Sequence, residues 1–158
     1  MDKKPKGLDD PGTVKFMKVM AAANVWLYKR SGGRVGRHWR IGAGFRNPVP
    51  ICLVEHTGRK SGLTRTTPLV YLRDGDDVVV VASQAGRPEN PQWFHNVVAD
   101  PSVTVQVGRD RTAMTASVAG PEERARLWPK LVDLYPDYDS YQSWTDRVIP
   151  VVVLSPNP

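Results

Sequence analysis

The chain has 158 residues, 41% of them hydrophobic and 24% charged, which suits one folded domain with a real core and excludes global disorder. A single cysteine, Cys52, excludes an internal disulfide framework and fits a reducing cytosol. The net charge of +6 is unevenly placed: residues 1–65 carry 14 Lys/Arg against 4 Asp/Glu, whereas residues 66–158 carry 8 against 12.

Between Pro11 and Val54 there are eight cations and no acid, so an anionic partner is expected there: nucleic acid, a membrane surface or an acidic small molecule. The start, MDKKPKGLDDPG, is charged and has no secretory pattern. The apolar stretch Val19 to Leu27 is far short of the ~20 residues of a membrane span. A cytoplasmic protein is expected, with peripheral contact on the inner face of the membrane as an option.

Residues 1–10 read as a flexible tail. A helix is expected over 13–30, with Asp10 as cap and Pro11 in the first turn. Phe16, Met17, Met20, Ala23, Val25, Trp26 and Leu27 cover more than half of its circumference. Packing on a core is the preferred reading, and lying on an anionic membrane is the alternative. Residues 31–48 hold five glycines and several cations, as a basic loop or lid would.

From residue 49 the pattern turns to β. Strands are expected at 49–56, across a hairpin over 65–83 that turns at Asp74-Gly75-Asp76-Asp77, and in an antiparallel pair at 102–108 and 112–120. Cys52 reads as a small apolar strand residue. A short helix at 90–101 starts with Asn90 as cap and Pro91 at its first position. A second helix covers 121–136, where Pro129 should kink or split it. An aromatic segment, 137–147, precedes a last strand at 148–155 that contains Pro150. The fold expected is α+β, mainly β: a small antiparallel barrel over 49–155 with flanking helices, in one domain with the helix and loop of 11–48.

The stretch HTGRKSGLTRTTPL (56–69) has the chemistry of an anion site. Gly58 and Gly62 let successive backbone N–H groups turn toward an anion. Arg59 and Arg65 add planar forks, Lys60 a point charge, and Thr57 and Ser61 hydroxyl donors. A solvated basic hairpin tip would read the same way, and no Walker spacing is present. His38, His56 and His95 lack metal-ligand spacing, and no serine-hydrolase elbow occurs. Tyr135, Tyr138 and Tyr141 recur every three residues ahead of Trp144. They suit either a helix face on the barrel or a pocket wall that binds a planar oxygenated molecule and donates a proton.

Four stretches together carry a resemblance: TGRKSGLTRTTPLVYLRDGDDVVVVAS (57–83), NPQWFHNVVADPSVTVQV (90–107), EERARLWPKLVDLYPDYDSYQSWTDR (122–147) and IPVVVL (149–154). The chain resembles the deazaflavin-dependent nitroreductase family of actinobacteria, within the split-barrel flavin/deazaflavin oxidoreductases. The last stretch is similar to the quinone-reducing branch. The resemblance implies a split β-barrel, reduced coenzyme F-420 as cofactor, and hydride transfer to a quinone, enone or nitro compound. It also implies that Arg59, Lys60, Ser61 and Arg65 hold the cofactor's phosphate and tail carboxylates. Pro68 and Leu69 would border its ring. Val81, Ala82, Ser83 and Gln84 would meet the deazaflavin, with Trp93 and Asn96 completing that wall. Val70, Tyr135, Tyr138, Tyr141 and Trp144 would surround the substrate, and Ser83, Tyr135 and Tyr141 are the catalytic candidates. Relatives that activate nitroimidazoles carry tyrosine where this chain has Val70, so its pocket should be wider and one hydroxyl poorer. No metal is implied.

Two other readings compete. An FMN-binding split-barrel oxidoreductase keeps the fold and changes the cofactor, although the several cations of 59–65 favour a longer anionic tail. A non-enzymatic nucleic-acid binder would use the basic half, but the aromatics that should stack on bases sit in the acidic half.

Overall fold

A computed structural model of the chain describes residues 4, 6, 7, 9–40 and 47–158. Its elements are helix α1 (Pro11–Ser31), strands β1 (His38–Trp39), β2 (Val49–Thr57), β3 (Thr64–Asp74) and β4 (Asp77–Val81), helix α2 (Gln92–Ala99), strands β5 (Ser102–Val107) and β6 (Asp110–Val118), helices α3 (Pro121–Leu134) and α4 (Asp137–Ser143), and strand β7 (Val151–Pro156). Half of the expected tail (residues 1–3, 5 and 8) and residues 41–46 of the expected loop lie outside the described residues.

The strands follow the order β1-β2-β3-β4-β7-β6-β5, and β5 pairs back onto β2. That last pairing, Leu53↔Gln106 and Val54↔Val105, closes six strands into an antiparallel barrel. Closure leaves none of the six as a free edge, which removes the usual route to strand-mediated aggregation. The expected mainly-β barrel with flanking helices is the fold that forms.

Alternation along each strand decides which side chains enter the barrel. Cys52 and Val54 of β2, Val78 and Val80 of β4, Val103 and Val105 of β5, Met114 of β6, and Val152 and Leu154 of β7 form the interior. Trp93 and Val97 of α2 plug it. Burial pushes the Cys52 thiol up to about 12, so it stays an inert, protonated filler. The opposite face of β2, β3, β4 and β7 is buried as well. Ile51, Leu53, Val70, Val79, Val81, Val151 and Val153 pack there against Tyr28, Leu127, Leu131, Tyr135 and Tyr138. Two buried faces explain why β4 and β7 read as unbroken valine runs rather than alternating patterns. Each such valine contributes about 1.5–3 kcal/mol on burial.

Several local expectations are corrected. Asp10 and Asn90 make no side-chain cap on their helices. Pro91 is itself the N-cap of α2, one residue after the expected cap Asn90. Pro129 does not split α3, which runs unbroken to Leu134. Proline removes one backbone hydrogen bond and crowds the carbonyl four residues back, and burial of Leu127 and Leu131 on either side holds the helix there.

The largest correction concerns α1. Most of its apolar residues do not pack on the core, and Val25 is half-buried against it. Tyr28 is its one fully buried side chain, while Phe16 is 64% and Trp26 62% exposed. Tyr28 anchors the helix: its hydroxyl accepts from Gly108 N at 2.7 Å and meets Gln106 O at 3.4 Å. Lys29 bonds Glu55 at 2.8 Å, and just ahead of the helix Asp9 pairs with Arg87 at 2.9 Å. The helices α3 and α4 already occupy the outer barrel face, so α1 is held by these polar and aromatic points with its apolar arc left outside.

Candidate active site

The 58–63 turn is tightly closed. Gly58 N donates to Leu63 O at 2.8 Å and Gly62 N to Gly58 O at 2.7 Å. Gly62 has φ +69°, which glycine adopts without strain. A Cβ on Gly58 would lie 2.6 Å from Ser61 Oγ, so a larger residue would displace that hydroxyl from the turn. Helix α2 holds the turn from one side. Asn96 Oδ1 accepts from both Arg59 N and Arg59 Nη1 at 3.1 Å, and Gln92 Oε1 accepts from Nη2 at 3.0 Å. Lys60 and Arg65 are exposed and make no ion pair among the described residues.

His56, which sequence reasoning set aside, lies beneath this turn and is 4% exposed. Because Asn96 Oδ1 is taken by Arg59, its Nδ2 faces His56 Nδ1 and donates at 3.2 Å. Nε2 then carries the ring proton and faces Thr67 Oγ1 at 3.0 Å. Burial, with the charge of Arg65 adding to it, holds the imidazole below its ordinary 6.5. A neutral histidine thus sets the orientation of Asn96, and Asn96 sets Arg59. The signal available in the sequence was its place on the inward-facing register of β2, with Cys52 and Val54.

Past β4 the chain makes a strained turn. Gln84 (φ 44°) and Ala85 (φ 52°) are both left-handed without being glycine, the kind of conformation concentrated at functional sites. Arg147 holds this turn. Its Nη2 donates to Ser83 O at 2.8 Å, Nη1 to Asn90 Oδ1 at 2.8 Å and to Ala82 O at 3.2 Å, and Nε to Arg87 O at 2.9 Å. Sequence reasoning missed Arg147. Gly86 is pinned on the other side, where a Cβ would sit 2.7 Å from Tyr141 O. Gln84 Oε1 is buried and has no hydrogen-bond partner among the described residues. Ser83 is half-buried, and its hydroxyl makes no bond among the described residues.

The aromatic residues form one connected wall. Ring centroids are 5.1 Å apart for Tyr135–Tyr138, 6.2 Å for Tyr135–Tyr141 and 5.5 Å for Tyr141–Trp144. The hydroxyls of Tyr135 and Tyr141 are 3.3 Å apart. Tyr135 and Tyr138 are buried in the core beside Val70, while Tyr141 and Trp144 are half-buried. Burial first, then the bond to Tyr141, raises the Tyr135 hydroxyl far above its ordinary 10, and burial raises Tyr141. Both stay protonated at any working pH.

Of the other expected residues, Val81 and Ala82 turn their side chains into the outer and inner cores, leaving backbone for a ligand. Pro68 is buried on β3, and Leu69 packs against the barrel interior with Trp93. The structure therefore joins Arg59, Gln92, Asn96 and His56 at one end of α2, and Ser83, Asn90 and Arg147 just ahead of it. Among the described residues no group of three or more His, Cys, Asp or Glu could hold a metal, and no helix is long and apolar enough to cross a membrane.

A closed six-strand antiparallel barrel with flanking helices places the chain in the split-barrel fold that flavin- and deazaflavin-dependent oxidoreductases use. The family model for the F420H(2)-dependent quinone reductases matches residues 20–156, and the chain belongs to that family. It is 54% identical over 117 residues to a Mycobacterium tuberculosis protein whose name places it among these reductases, covering 74% of this chain and 98% of that one. A second M. tuberculosis protein, an F420H(2)-dependent quinone reductase, is 42% identical over 132 residues, covering 82% of this chain and 85% of its own. The solved structure of an F420-H2 dependent reductase, FDR-A, superposes with a TM-score of 0.63 at 41% identity, covering 67% of this chain and 94% of that one. The chain is accordingly an F-420-dependent reductase, and F-420 is its cofactor.

The residues present fit that group. Two guanidinium forks and an ammonium suit its phosphate and carboxylates. The orphaned Gln84 oxygen is an acceptor in need of a donor, such as the N–H edge of a pyrimidine-like ring.

Proposed function

We propose that this chain transfers hydride from reduced F-420 to a quinone, using the turn at 58–65 to bind, the turn at 83–86 to orient and the wall at Tyr135–Trp144 to enclose. One observation carries this reading. Arg59 is tied through Gln92 and Asn96 to α2, and Asn90, just ahead of α2, is tied through Arg147 to Ser83. The anion-binding and reacting ends of an elongated cofactor would thus rest on one rigid frame.

Arg59, Lys60, Ser61 and Arg65 would hold the phosphate and tail carboxylates, with Pro68 and Leu69 beside the ring. The backbone of Val81 and Ala82, with Ser83 and Gln84, would meet the ring face, and Trp93 and Asn96 would close that side. When bound, reduced F-420 supplies a hydride from a ring carbon. The protein's part is alignment and exclusion of water. Val70, Tyr135, Tyr138, Tyr141 and Trp144 supply apolar walls for a planar acceptor. The protonated hydroxyls of Tyr141 and Ser83 are donors for an oxygen that gains negative charge during reduction. A small side chain at Val70 leaves room for a substituted quinone, and enones and nitro compounds remain further candidate acceptors.

The basic, apolar α1 would bring the enzyme to anionic lipid, where apolar quinones reside. At helical spacing, Phe16, Val19, Met20, Ala23 and Leu27 share an exposed arc bordered by Lys15 and Lys18. Equal partitioning onto anionic vesicles with and without residues 1–30 would remove this element.

The test is a tryptophan-quenching titration with F-420 and with FMN, followed by loss of F-420H2 absorbance with menadione as acceptor. Tight F-420 binding that disappears in Arg59→Ala/Lys60→Ala, together with menadione reduction, is expected. Preference for FMN would overturn the cofactor placement.

A further inference from the structure

A cavity of about 610 Å³ lies at the C-terminal end of α1, between the loop that follows it and the β5–β6 turn. Lys29, Arg30, Arg34 and Arg109 line it, and among the described residues no carboxylate does. Along β2 the β5–β6 turn lies past Leu53, which pairs with Gln106, toward the strand's start. The Arg59 turn follows Thr57 at the strand's other end. The cavity is therefore separate from the site described above.

The arrangement is built. Tyr28 locks both sides, since Gly33 N donates to its carbonyl at 2.9 Å and Gly108 N to its hydroxyl at 2.7 Å. A Cβ on Gly33 would fall 2.4 Å from Gly108 Cα, so two glycines in left-handed conformation are pressed backbone to backbone. Arg34 and Arg109 each follow one of these glycines and are brought side by side. The stem of Arg109 lies over Gly32, where a Cβ would be 2.9 Å from Cγ.

Of the four charges only Lys29 has a counterpart among the described residues. Glu55 is the nearby acid, but Lys29 and Arg111 occupy its two oxygens at 2.8 and 2.7 Å. The side chains of Arg30, Arg34 and Arg109 make no hydrogen bond or ion pair among the described residues. A helix C-terminus accounts for Lys29 and Arg30. It does not account for Arg34 and Arg109, which come from other segments. Three guanidinium forks exceed what one carboxylate can accept and match the several oxygens of a phosphate.

We infer that this cavity is a binding site for a phosphate ester, supplied either by the headgroup of an anionic phospholipid or by a soluble phosphate monoester. It is independent of the hydride chemistry. Arg30 lies on the same helical arc as Phe16, Ala23 and Leu27, so a headgroup held there would seat the exposed arc of α1 on the acyl region.

The experiment uses the full chain and two probes. Glycerol 3-phosphate is titrated while arginine Nε–Hε signals are followed by NMR. Vesicles of phosphatidylcholine with and without phosphatidic acid are used in flotation. The variants are Arg34→Gln/Arg109→Gln and a charge-matched control, Arg73→Gln/Lys130→Gln, with melting curves to verify folding. Saturable shifts, or phosphatidic-acid-dependent flotation, that weaken about tenfold or more in the first variant and little in the control are expected. A response to both probes assigns a site for phosphate esters in general, and a response to vesicles alone assigns the lipid headgroup. Equal losses in both variants would reduce the effect to net charge and overturn the site, as would silence with both probes.

Discussion

Arg147 Nη2 donates to Ser83 O at 2.8 Å, across 64 positions of sequence. The same guanidinium reaches Ala82, Arg87 and Asn90, so one side chain carries the shape of the turn that holds Gln84 and Ala85 left-handed. Lysine offers one point charge and cannot span these acceptors. Arg147→Lys is expected to cost about 2–4 kcal/mol by urea unfolding. It should weaken F-420 binding more than it changes the barrel's circular dichroism. Wild-type affinity in a folded Arg147→Lys protein would dismiss its positioning role.

Asn96 stands between a cation and a neutral imidazole. In Asn96→Asp the Arg59 contact survives, but the donor to His56 Nδ1 is replaced by a carboxylate oxygen that favours a protonated ring. The His56 pKa, followed by NMR of its ring protons, should rise in this variant. In Asn96→Ala, Arg59 loses its brace and F-420 affinity should fall roughly tenfold.

His56 also sets a pH dependence. Its folded value lies below 6.5, so on acidification the unfolded chain takes up this proton before the folded chain does. Stability should therefore fall as pH drops below about 6.5, by no more than about 1.4 kcal/mol per pH unit from this group, and flatten once the folded ring titrates. The slope should shrink in His56→Phe, measured by urea unfolding between pH 5 and 8, conditions set by the ~6.5 reference value.

Gly86 has φ +70°, and any Cβ there would meet the Tyr141 carbonyl at 2.7 Å. Gly86→Ala must move either the 84–86 turn or α4. A loss of about 2 kcal/mol or more is expected in thermal melts. It should come with weaker acceptor binding, read as a raised menadione KM.

Tyr135 and Tyr141 share a hydroxyl contact at 3.3 Å, and only one proton can lie between them. If the half-buried Tyr141 directs its own toward the acceptor, Tyr141→Phe should lower kcat about 10- to 100-fold with little change in F-420 affinity. Because burial keeps both hydroxyls protonated, the wild-type rate should show no basic limb from tyrosine ionisation up to about pH 10. An unchanged kcat in Tyr141→Phe would leave Ser83 as the candidate donor.

Much of this was local and therefore legible in the residues. The valine runs of β4 and β7, the Gly75 turn, the glycines of 58–62 and the tyrosine spacing each express a rule acting over a few residues: period two, left-handed turns, helical repeat. Together with four motif stretches they pointed to a barrel, an anion-binding turn and an aromatic wall. The misreadings lay where tertiary contacts overrule local preference. Asn90 looked like a helix cap and instead accepts from Arg147, 57 positions away. Phe16, Met17, Met20, Trp26 and Leu27 of α1 looked like core, yet the barrel faces were already filled by Leu127, Leu131, Tyr135 and Tyr138, and the helix is held by Tyr28 and a half-buried Val25. His56, Asn96 and Arg59 meet because closure of β2 on β5 and β3 brings α2 under the turn, and the Arg30, Arg34 and Arg109 cluster exists because two glycines touch. Such convergences depend on strand register and chain closure, which no short window of residues encodes.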